Sequence, residues 1–233
     1  MYTESAAWYD RFHAGKDYAA EARFVVEVIR RHRPDARTLL DVACATGRHL
    51  DHFAVEFDCQ GLDLDGELLE LARRRLPDVP FTQADMTAFD LGRRFDAVTC
   101  LFSSIGYAGD VTRLRAALGA MAAHLHPGGV LVVEPWLLPE AWVDGTSGVD
   151  VAEDGEGATL VRVRTSRRVG EMTELSMHYV ATRGGVITTG DECHRLRLFT
   201  REEYLDAARA AGLTTAWDPV GPTGRGLLVG VRA

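Results

Sequence analysis

Cysteine is scarce in the chain, and the few cysteines form no recognisable site. The 233 residues include four, Cys44, Cys59, Cys100 and Cys193, and no two of them are spaced as Cys-x-x-Cys. Three of them lie in apolar stretches, so we expect reduced core residues rather than a disulfide framework. No group of histidines and cysteines has the spacing of metal ligands, so the sequence predicts no metal site.

Long hydrophobic runs are also missing. No stretch approaches the roughly 18 apolar residues of a membrane span. Residues 1–10 have neither the basic flank nor the apolar run of a secretory signal. We therefore expect a soluble, cytoplasmic protein with no membrane partner.

The chain has no excess of positive charge. Its 26 lysines and arginines are outnumbered by 34 acidic residues, which gives a net charge of −8. Binding to nucleic acid depends on cations that neutralise phosphates, so this balance argues against a nucleic-acid partner and leaves room only for a local basic pocket. The length and the hydrophobic fraction of 46% are those of one globular domain with a sizeable core.

Strand and helix patterns alternate through the first part of the chain. Such an alternation predicts a parallel sheet covered by helices on both faces. The predicted helices span 17–33, 47–57, 65–76 and 110–125; the predicted strands span 38–43, 59–63, 81–84, 95–102 and 130–134, the last after a turn at Pro127-Gly128-Gly129.

The pattern changes after residue 135. Stretches 159–168, 173–182 and 192–199 are separated by glycines, with no helix between them, which is typical of antiparallel strands. A helix at 200–211 begins with the capping-box residues Thr200 and Glu203, and strands near 214–217 and 227–231 follow it. We expect a single domain, 1–233, with an N-terminal lid helix (about 1–35), a core (about 36–135), an antiparallel insertion (about 145–199) and closing elements (about 200–233).

The most informative stretch joins the first predicted strand to the next helix. The strand ends at Asp41-Val42, and a loop of small residues, Ala43-Cys44-Ala45-Thr46-Gly47, lets a ligand approach the backbone closely. The second strand ends at Asp63, where a carboxylate can accept both hydroxyls of a ribose. The dinucleotide pattern Gly-x-Gly-x-x-Gly is absent, because Arg48 stands where its third glycine is needed.

The same loop resembles the first motif of class I S-adenosylmethionine methyltransferases. That motif is Asp-x-Gly-x-Gly-x-Gly, and here alanine replaces the first two glycines, at Ala43 and Ala45. Further features follow in the order that such a fold requires: Asp85-Met86 after the third strand, Phe95-Asp96-Ala97-Val98 at the fourth, and Pro127-Gly128-Gly129 before the fifth. The resemblance implies an α/β fold with a doubly wound, mostly parallel seven-stranded sheet, and an antiparallel β insertion after strand five.

A closer resemblance covers nearly the whole chain. The chain is similar to the N,N-dimethyltransferases that act on dTDP-3-amino-3,6-dideoxyhexoses in the biosynthesis of desosamine- and mycaminose-type sugars. The stretches that carry this likeness are Trp8-Tyr9-Asp10, Lys16-Asp17-Tyr18-Ala19-Ala20-Glu21, Leu40-Asp41-Val42-Ala43-Cys44, Phe102-Ser103-Ser104-Ile105-Gly106-Tyr107, Val133-Glu134-Pro135-Trp136 and Gly224-Arg225-Gly226-Leu227.

The resemblance implies an S-adenosylmethionine-dependent enzyme that methylates the amine of a nucleotide-linked amino sugar. It leaves a homodimer open. Two departures stand out, because family members typically have glycine at the position of Ala45 and an aromatic residue near the position of His13. The alternatives are an O- or N-methyltransferase for a non-sugar natural product, and a catalytically silent cofactor-binding scaffold.

The candidate site residues are of three kinds: proton acceptors, cofactor-binding residues and substrate-binding residues. We expect proton acceptors among His13, Glu134 and His178, because the amine must be neutral to attack. His49, His52, His124 and His126 are expected at the surface, and Arg162, Arg164, Arg167 and Arg168 form a basic run that is either a solvated face or an attraction for a diphosphate. The expected cofactor-binding residues are Tyr9, Lys16, Ala43, Cys44, Ala45, Gly47, Asp63, Leu64, Asp85, Met86 and Phe102; the expected substrate-binding residues are Tyr18, Tyr107, Trp136 and Arg225.

Overall fold

A computed structural model of the chain describes residues 8–153 and 157–233. Residues 1–7 of the predicted lid and residues 154–156 of the predicted insertion lie outside it. The helices are α1 (Tyr9–Phe12), α2 (Tyr18–His32), α3 (Arg48–Phe53), α4 (Gly66–Arg75), a 3₁₀ turn (Ser104–Ala108), α5 (Val111–Ala123) and α6 (Arg201–Ala210). The strands are β1 (Thr38–Val42), β2 (Asp58–Asp63), β3 (Phe81–Gln83), β4 (Phe95–Cys100), β5 (Leu125–Val133), β6 (Ser147–Glu153), β7 (Thr159–Val169), β8 (Met172–Arg183), β9 (Val186–Arg197), β10 (Leu213–Asp218) and β11 (Leu227–Arg232).

Seven strands form one sheet in the order β10-β11-β5-β4-β1-β2-β3. The five strands β1 to β5 are parallel, and β11 pairs antiparallel with both β5 and β10. This confirms the predicted doubly wound sheet. The strand order reverses between β1 and β4, so the loops that follow these two strands face the same crevice at the carboxyl edge, where such sheets bind ligands.

Helices cover both faces of this sheet because its strands are apolar on both sides. In β1, Leu39 packs with α2 and α3, whereas the next residue, Leu40, packs with α5 and α6. Successive side chains of a strand point to opposite faces, so one buried strand serves two cores. The capping box predicted at Thr200 and Glu203 is present at the start of α6.

The segment after β5 forms a second sheet of four antiparallel strands in the order β6-β7-β8-β9. The pairing of β8 with β9 places Met177 opposite Glu192, His178 opposite Asp191 and Tyr179 opposite Gly190. Since side chains alternate along a strand, Met177 and Tyr179 share one face and His178 lies on the other. The predicted antiparallel insertion is confirmed.

Several predicted boundaries were wrong. Helix α3 ends at Phe53 rather than at residue 57, because the chain turns at 54–56 before it enters β2. The turn predicted at Pro127-Gly128-Gly129 lies within β5, where the pairing with β4 shifts from Phe95–Leu125 to Ala97–Val130 and absorbs the extra residues as an irregularity. Strand β6 had not been predicted, and β9 begins at Val186 rather than at residue 192. Among the helices of residues 8–153 and 157–233, none is long and apolar enough to cross a membrane.

Candidate active site

The carboxyl edge of the parallel sheet is lined by three adjoining cavities, and Tyr9 of α1 contributes to all of them. The "β2 cavity", about 140 Å³, is lined by residues that include Leu62, Asp63, Leu64, Leu68, Ala84, Asp85, Met86 and Tyr107. The "loop cavity", about 20 Å³, is lined by Tyr18, Asp41, Ala43, Cys44, Ala45, Thr46, Arg48, His49 and Phe102, among others. The "roof cavity", about 260 Å³, lies between α1, the loops after β4 and β5, and the antiparallel sheet.

The loop after β1 is held in an uncommon conformation. Ala43 and Ala45 have φ angles of 58° and 49°, in the left-handed region that favours glycine. The backbone N–H of Ala45 donates a hydrogen bond of 2.7 Å to Asp63 Oδ2 at the end of β2. Because alanine rather than glycine occupies both positions, the chain accepts local backbone strain at this loop.

Asp63 is buried and its two oxygens are already oriented. Oδ2 accepts from Ala45, and Oδ1 accepts from the backbone N–H of Asp65 at 2.9 Å. Burial raises the pKa of Asp63 above its usual range, although these backbone donors act in the opposite direction. A carboxylate oxygen has two lone pairs, so each oxygen can accept a further hydrogen bond from a ligand hydroxyl.

Asp85 and Met86 lie across the β2 cavity from Asp63. Asp85 accepts hydrogen bonds from the backbone N–H and the hydroxyl of Thr87, both at 2.8 Å, and from Arg113 at 3.1 Å. Burial alone would raise the pKa of Asp85, but these donors outweigh it and hold that pKa below the usual range. The apolar side chains of Leu62, Leu68 and Met86 provide the other walls, which suits a flat aromatic ring with a polar edge.

The loop cavity contains a buried hydroxyl that has no hydrogen-bond partner within the described residues, that of Tyr18. Burial raises the pKa of Tyr18 to about 12, so it stays protonated and can donate to an anion. Tyr18 was expected at the substrate, and the structure places it instead beside Cys44 and Ala45. An unsatisfied buried donor is costly, which favours a ligand oxygen at this point.

The other polar groups around this loop are paired. Lys16 and His49 both contact Glu21 Oε2, His49 at 2.9 Å. The expectation that His49 lies at the surface was wrong, since it is buried at the wall of the loop cavity; His124 is also buried, against Phe89. Lys16 lies 4.4 Å from the ring centre of Phe102 and lines none of the three cavities.

Arginines dominate the charge of the roof cavity. Arg162 and Arg164 of β7 point into it, and both contact Asp150 Oδ2, at 2.9 and 3.1 Å. Arg225 enters from the turn before β11 and donates to Ser103 Oγ at 3.1 Å. Arg225 also lies 4.0 Å from Glu134 Oε1. Two carboxylates, Asp150 and Glu134, therefore pair with the three arginines, but the described lining itself contains three guanidinium groups and no carboxylate, which leaves this cavity cationic. Arg167 and Arg168, from the same basic run, do not line it.

His13 lies in the wall of the roof cavity, 5.3 Å from Phe102 between ring centres. Its Nδ1 lies 2.8 Å from the carbonyl oxygen of Tyr9, and a carbonyl only accepts, so Nδ1 carries the hydrogen and Nε2 carries the lone pair. Burial lowers the pKa of His13 below its usual range, and the charges of Arg162 and Lys16 lower it further. His13 is therefore a neutral hydrogen-bond acceptor at neutral pH.

Two other expected proton acceptors lie elsewhere. Glu134 is fully buried and outside the cavity lining; it accepts from the backbone N–H of Phe102 at 2.6 Å and from the hydroxyl of Thr223. It holds the loop after β4, where Phe102 and Ser103 have positive φ angles. His178 lies on the outer face of the antiparallel sheet, exposed and paired with Asp191. Neither side chain therefore belongs to the lining of the roof cavity.

Sequence reasoning missed a group of residues on β8 and β9. Tyr179, Glu192 and His194 lie on the cavity side of the second sheet, and the Tyr107 hydroxyl lies 2.8 Å from His194 Nδ1. The alternation of side chains along a strand was a partial signal, because it places Met177 and Tyr179 on the face opposite His178, but it does not say which face meets the cavity. Within residues 8–153 and 157–233, no cluster of three or more His, Cys, Asp or Glu side chains could hold a metal ion.

Comparison with known proteins shows the family to which the chain belongs. The methyltransferase domain family model matches residues 39–129. A dTDP-3-amino-3,6-dideoxy-alpha-D-glucopyranose N,N-dimethyltransferase of Streptomyces fradiae is 49% identical over 232 residues, which cover 98% of this chain and 91% of the relative. The chain belongs to the family of S-adenosylmethionine-dependent sugar N,N-dimethyltransferases. The predicted family, enzyme class and cofactor are thereby confirmed.

Two solved structures show the same fold over the full length of this methyltransferase. DesVI of Streptomyces venezuelae is 45% identical, with a TM-score of 0.92 and 99% of each chain covered. CalS10 of Micromonospora echinaspora, an amino pentose methyltransferase solved with S-adenosylmethionine bound, is 44% identical, with a TM-score of 0.86, 100% of this chain and 98% of that chain covered.

S-adenosylmethionine fits the residues that this methyltransferase presents. The β2 cavity offers a carboxylate for a ribose and apolar walls with a polar edge for an adenine, and the loop cavity offers the Tyr18 hydroxyl for an anion. Of the predicted cofactor residues, the cavities bring together Tyr9, Ala43, Cys44, Ala45, Asp63, Leu64, Asp85, Met86 and Phe102. Gly47 precedes α3 as its N-cap, with φ of 75°.

Proposed function

We propose that this methyltransferase methylates the amine of a dTDP-linked amino-deoxysugar in natural-product biosynthesis. The observation that carries the proposal is the cationic roof cavity, which adjoins the cofactor cavities through Tyr9 and Tyr107. A diphosphate carries two negative charges, and arginine binds phosphate oxygens bidentately. Arg162, Arg164 and Arg225 supply this recognition, whereas a neutral acceptor would gain nothing from them.

The size of the site agrees with a sugar nucleotide. The roof cavity, about 260 Å³, accommodates a hexose ring, and a further cavity of about 260 Å³ adjoins it, with Trp136, Arg164, Leu175 and Met177 as shared walls. Trp142 also lines this second cavity, so aromatic surface is available for a nucleobase. The substrate therefore has room to extend from the cofactor towards Trp136 and Trp142.

The residues of the site divide the work of the proposed reaction. Asp63 holds the ribose of the cofactor, Asp85 and Met86 hold its adenine, and the loop 43–47 with Tyr18 holds its methionine end. When bound, S-adenosylmethionine supplies an electrophilic methyl group. The chain contributes mainly proximity and alignment, which are sufficient for much of the rate of a displacement. His13 accepts a hydrogen bond from the acceptor amine and orients its lone pair.

The enzyme is proposed to act in the cytoplasm. Cys44, Cys59 and Cys100 are buried free thiols, and Cys193 is an exposed free thiol, which suits a reducing compartment. S-adenosylmethionine is a soluble metabolite, so no membrane partner is required by the reaction.

The experiment that tests the proposal compares amino and hydroxyl acceptors. The protein is incubated with isotopically labelled S-adenosylmethionine and a panel of dTDP-amino-deoxysugars, each beside the analogue with hydroxyl in place of the amine. Products are identified by mass. Methylation of one or more amino sugars but not of their hydroxyl analogues is expected. Transfer to hydroxyl analogues alone, or to none of the sugar nucleotides, would refute the proposal.

A further inference from the structure

The roof cavity contains a buried histidine–carboxylate pair that the reaction above does not use. His194 is 3% exposed, and the side chain of Glu192 is 6% exposed. His194 Nε2 lies 3.4 Å from Glu192 Oε2, and the Tyr179 hydroxyl donates to the same oxygen at 3.0 Å. On its other side, His194 Nδ1 lies 2.8 Å from the hydroxyl of Tyr107.

The partners determine where the hydrogens lie. An ionised carboxylate only accepts, so His194 Nε2 carries a hydrogen towards Glu192. In the neutral ring Nδ1 then carries the lone pair, and the Tyr107 hydroxyl donates to it. A phenol oxygen can accept a hydrogen bond while it donates one, so Tyr107 is able to pass a proton from the cavity to His194.

Tyr107 lies at the boundary between acceptor and cofactor. It lines both the roof cavity and the β2 cavity, a position that it shares with Tyr9 and Ser104. The reacting amine has to reach the same boundary, because the methyl donor and the acceptor meet there. A proton on that amine is therefore within the part of the site that Tyr107 borders.

The surrounding charges favour proton transfer out of the cavity towards His194. Among the described residues, the ionisable groups that line the roof cavity or contact His194 are Tyr9, His13, Arg162, Arg164, Tyr179, Glu192 and Arg225. The β2 cavity beyond Tyr107 is lined by Asp63, Asp65, Asp85 and Arg113, and Arg113 pairs with Asp85 at 3.1 Å. On the roof side, the charges of the lining are therefore those of the three arginines. The arginines disfavour a second cation in the cavity, which lowers the pKa of a bound ammonium group. They also disfavour a cation at His13. His194, in contrast, lies 3.4 Å from the carboxylate of Glu192.

We propose that Tyr107 and His194 form a proton relay that deprotonates the acceptor's ammonium group, an inference that rests on the proposed function. One N–H bond of the ammonium breaks, and its proton joins the Tyr107 oxygen while the tyrosine's own proton moves to His194 Nδ1. The nitrogen keeps the electron pair and becomes the neutral nucleophile. The imidazolium next to Glu192 returns the proton to solvent through Tyr107 once the product has left.

The test replaces the two residues of the relay, Tyr107 and His194, separately and together. Single-turnover rates at saturating cofactor are measured from about pH 6 to about pH 10 for Tyr107→Phe, His194→Gln and the double variant. We expect each rate to fall by roughly 100-fold at pH 7, the lower end of general-base effects. The defect shrinks as the pH rises past the pKa of the free amine, because the amine then arrives neutral. When two groups act as a unit, the effects of their removal on the rate are not additive. The double variant should therefore react no more slowly than the slower of the two single variants.

The matched control is His178→Gln, on the neighbouring strand. His178 also faces a carboxylate, Asp191 at 2.8 Å, but on the outer face of the same sheet. His178→Gln should keep the wild-type dependence of the single-turnover rate on pH. All four variants should bind S-adenosylhomocysteine with an affinity within about twofold of the wild type. Melting curves verify that each variant is folded. If His194→Gln does not fold, Tyr107→Phe, which keeps the aromatic ring, still tests the relay by itself.

The possible outcomes separate the relay from the function on which it rests. A wild-type rate for Tyr107→Phe at every pH, or a defect that does not change with pH, would overturn the relay and leave the amino-sugar activity of the wild type intact. A wild-type enzyme that methylates no amino sugar would instead refute the proposed function, and the relay would fall with it.

Discussion

The carboxylate of Asp63 and the backbone N–H of Ala45 are joined by a hydrogen bond of 2.7 Å, across 18 positions of the chain. This bond fastens the loop after β1 to the end of β2, so the two halves of the cofactor site are positioned together. The residue proposed to bind the ribose therefore also holds the loop that is proposed to bind the methionine end of the cofactor. A change at either residue therefore affects both.

Replacing Asp63 should weaken cofactor binding without unfolding the protein. Asp63→Ala removes the acceptor for the ribose hydroxyls and for Ala45, and hydrogen bonds to a charged group are worth about 1.5–3 kcal/mol. The affinity for S-adenosylhomocysteine should fall roughly 10- to 150-fold in calorimetric titration. Asp58→Ala, at the exposed opposite end of the same strand, is the control and should bind normally. Unchanged affinity in folded Asp63→Ala would disprove the assignment.

Ala45→Gly should stabilise the protein or leave it unchanged. The left-handed conformation at φ 49° costs alanine about 1–2 kcal/mol, which glycine does not incur. The greater flexibility of glycine in the unfolded chain offsets about 0.5–1 kcal/mol of this. We expect a Tm that is equal or higher by about 2–4 °C, with cofactor affinity retained. Ala116→Gly, at an exposed position inside α5, should lower the Tm. A lower Tm for Ala45→Gly as well would show that Ala45 is required.

Asp41 should make the protein less stable as the pH rises. It is fully buried beneath the loop cavity, it accepts a hydrogen bond of 2.7 Å from Thr99, and burial raises its pKa to about 6. Because this pKa is higher in the folded than in the unfolded chain, the stability that Asp41 contributes is present below about pH 4 and is lost as the pH passes 6. A shift of about two units corresponds to about 3 kcal/mol.

The corresponding experiment is urea unfolding of Asp41→Asn and of the wild type from about pH 4 to about pH 8. The advantage of the asparagine variant in free energy of unfolding should grow through this range, by up to about 3 kcal/mol. Asp58→Asn, whose side chain is exposed, provides the comparison. If the difference in free energy of unfolding between Asp41→Asn and the wild type did not change with pH, ionisation of Asp41 would not destabilise the folded protein.

His13→Ala should slow the reaction equally at all pH values above neutrality. A neutral acceptor that orients the amine contributes the same alignment whether or not the amine needs deprotonation, so its defect differs from that of Tyr107→Phe. We expect a rate reduction of roughly 10-fold or more, with unchanged affinity for S-adenosylhomocysteine. Single-turnover rates over the same pH range measure it. A defect that disappears at high pH would make His13 the proton acceptor instead.

Arg225→Lys should impair binding of the sugar nucleotide more than catalysis. Lysine keeps the charge but loses the planar fork that binds phosphate oxygens in pairs. We expect the KM for the sugar nucleotide to rise about 10-fold with little change in kcat, in steady-state assays. Arg167→Lys, at an arginine that pairs with Glu174 away from the roof cavity, is the matched control. Equal effects of both substitutions would argue against a diphosphate at Arg225.

The cofactor half of the molecule was largely predictable from the sequence. Its strands are short apolar runs, its helices have clear caps, and Asp63 and Asp85 follow strands whose carboxyl ends meet at one edge. Local periodicity and the order of the motifs were sufficient there. The conformation of Ala45 could not be predicted, because alanine gives no signal for a left-handed φ.

The acceptor half was less predictable. Which side chains of β7, β8 and β9 face the cavity depends on how the second sheet is placed over the first, and no local pattern encodes that placement. From the sequence, His178 and His194 are equally plausible as residues of the cavity. Only the placement of the second sheet shows that His194 faces the cavity and His178 faces outwards. Glu134 ends a strand at the expected edge, yet the turn that carries Thr223 covers it.

The alternation along β8 makes the chemistry of the roof sensitive to the length of its strands. Met177 and Tyr179 face the roof cavity, and Ser176, His178 and Val180 face outwards. Insertion or deletion of one residue within β8 would exchange these two sets and turn the outer set towards the roof cavity. The Gly184-Gly185 turn lies beyond the last paired residues, Arg183 and Val186, so a longer turn leaves both sets in place. Inside the strand, a length change keeps the same set facing the roof cavity only when it involves an even number of residues.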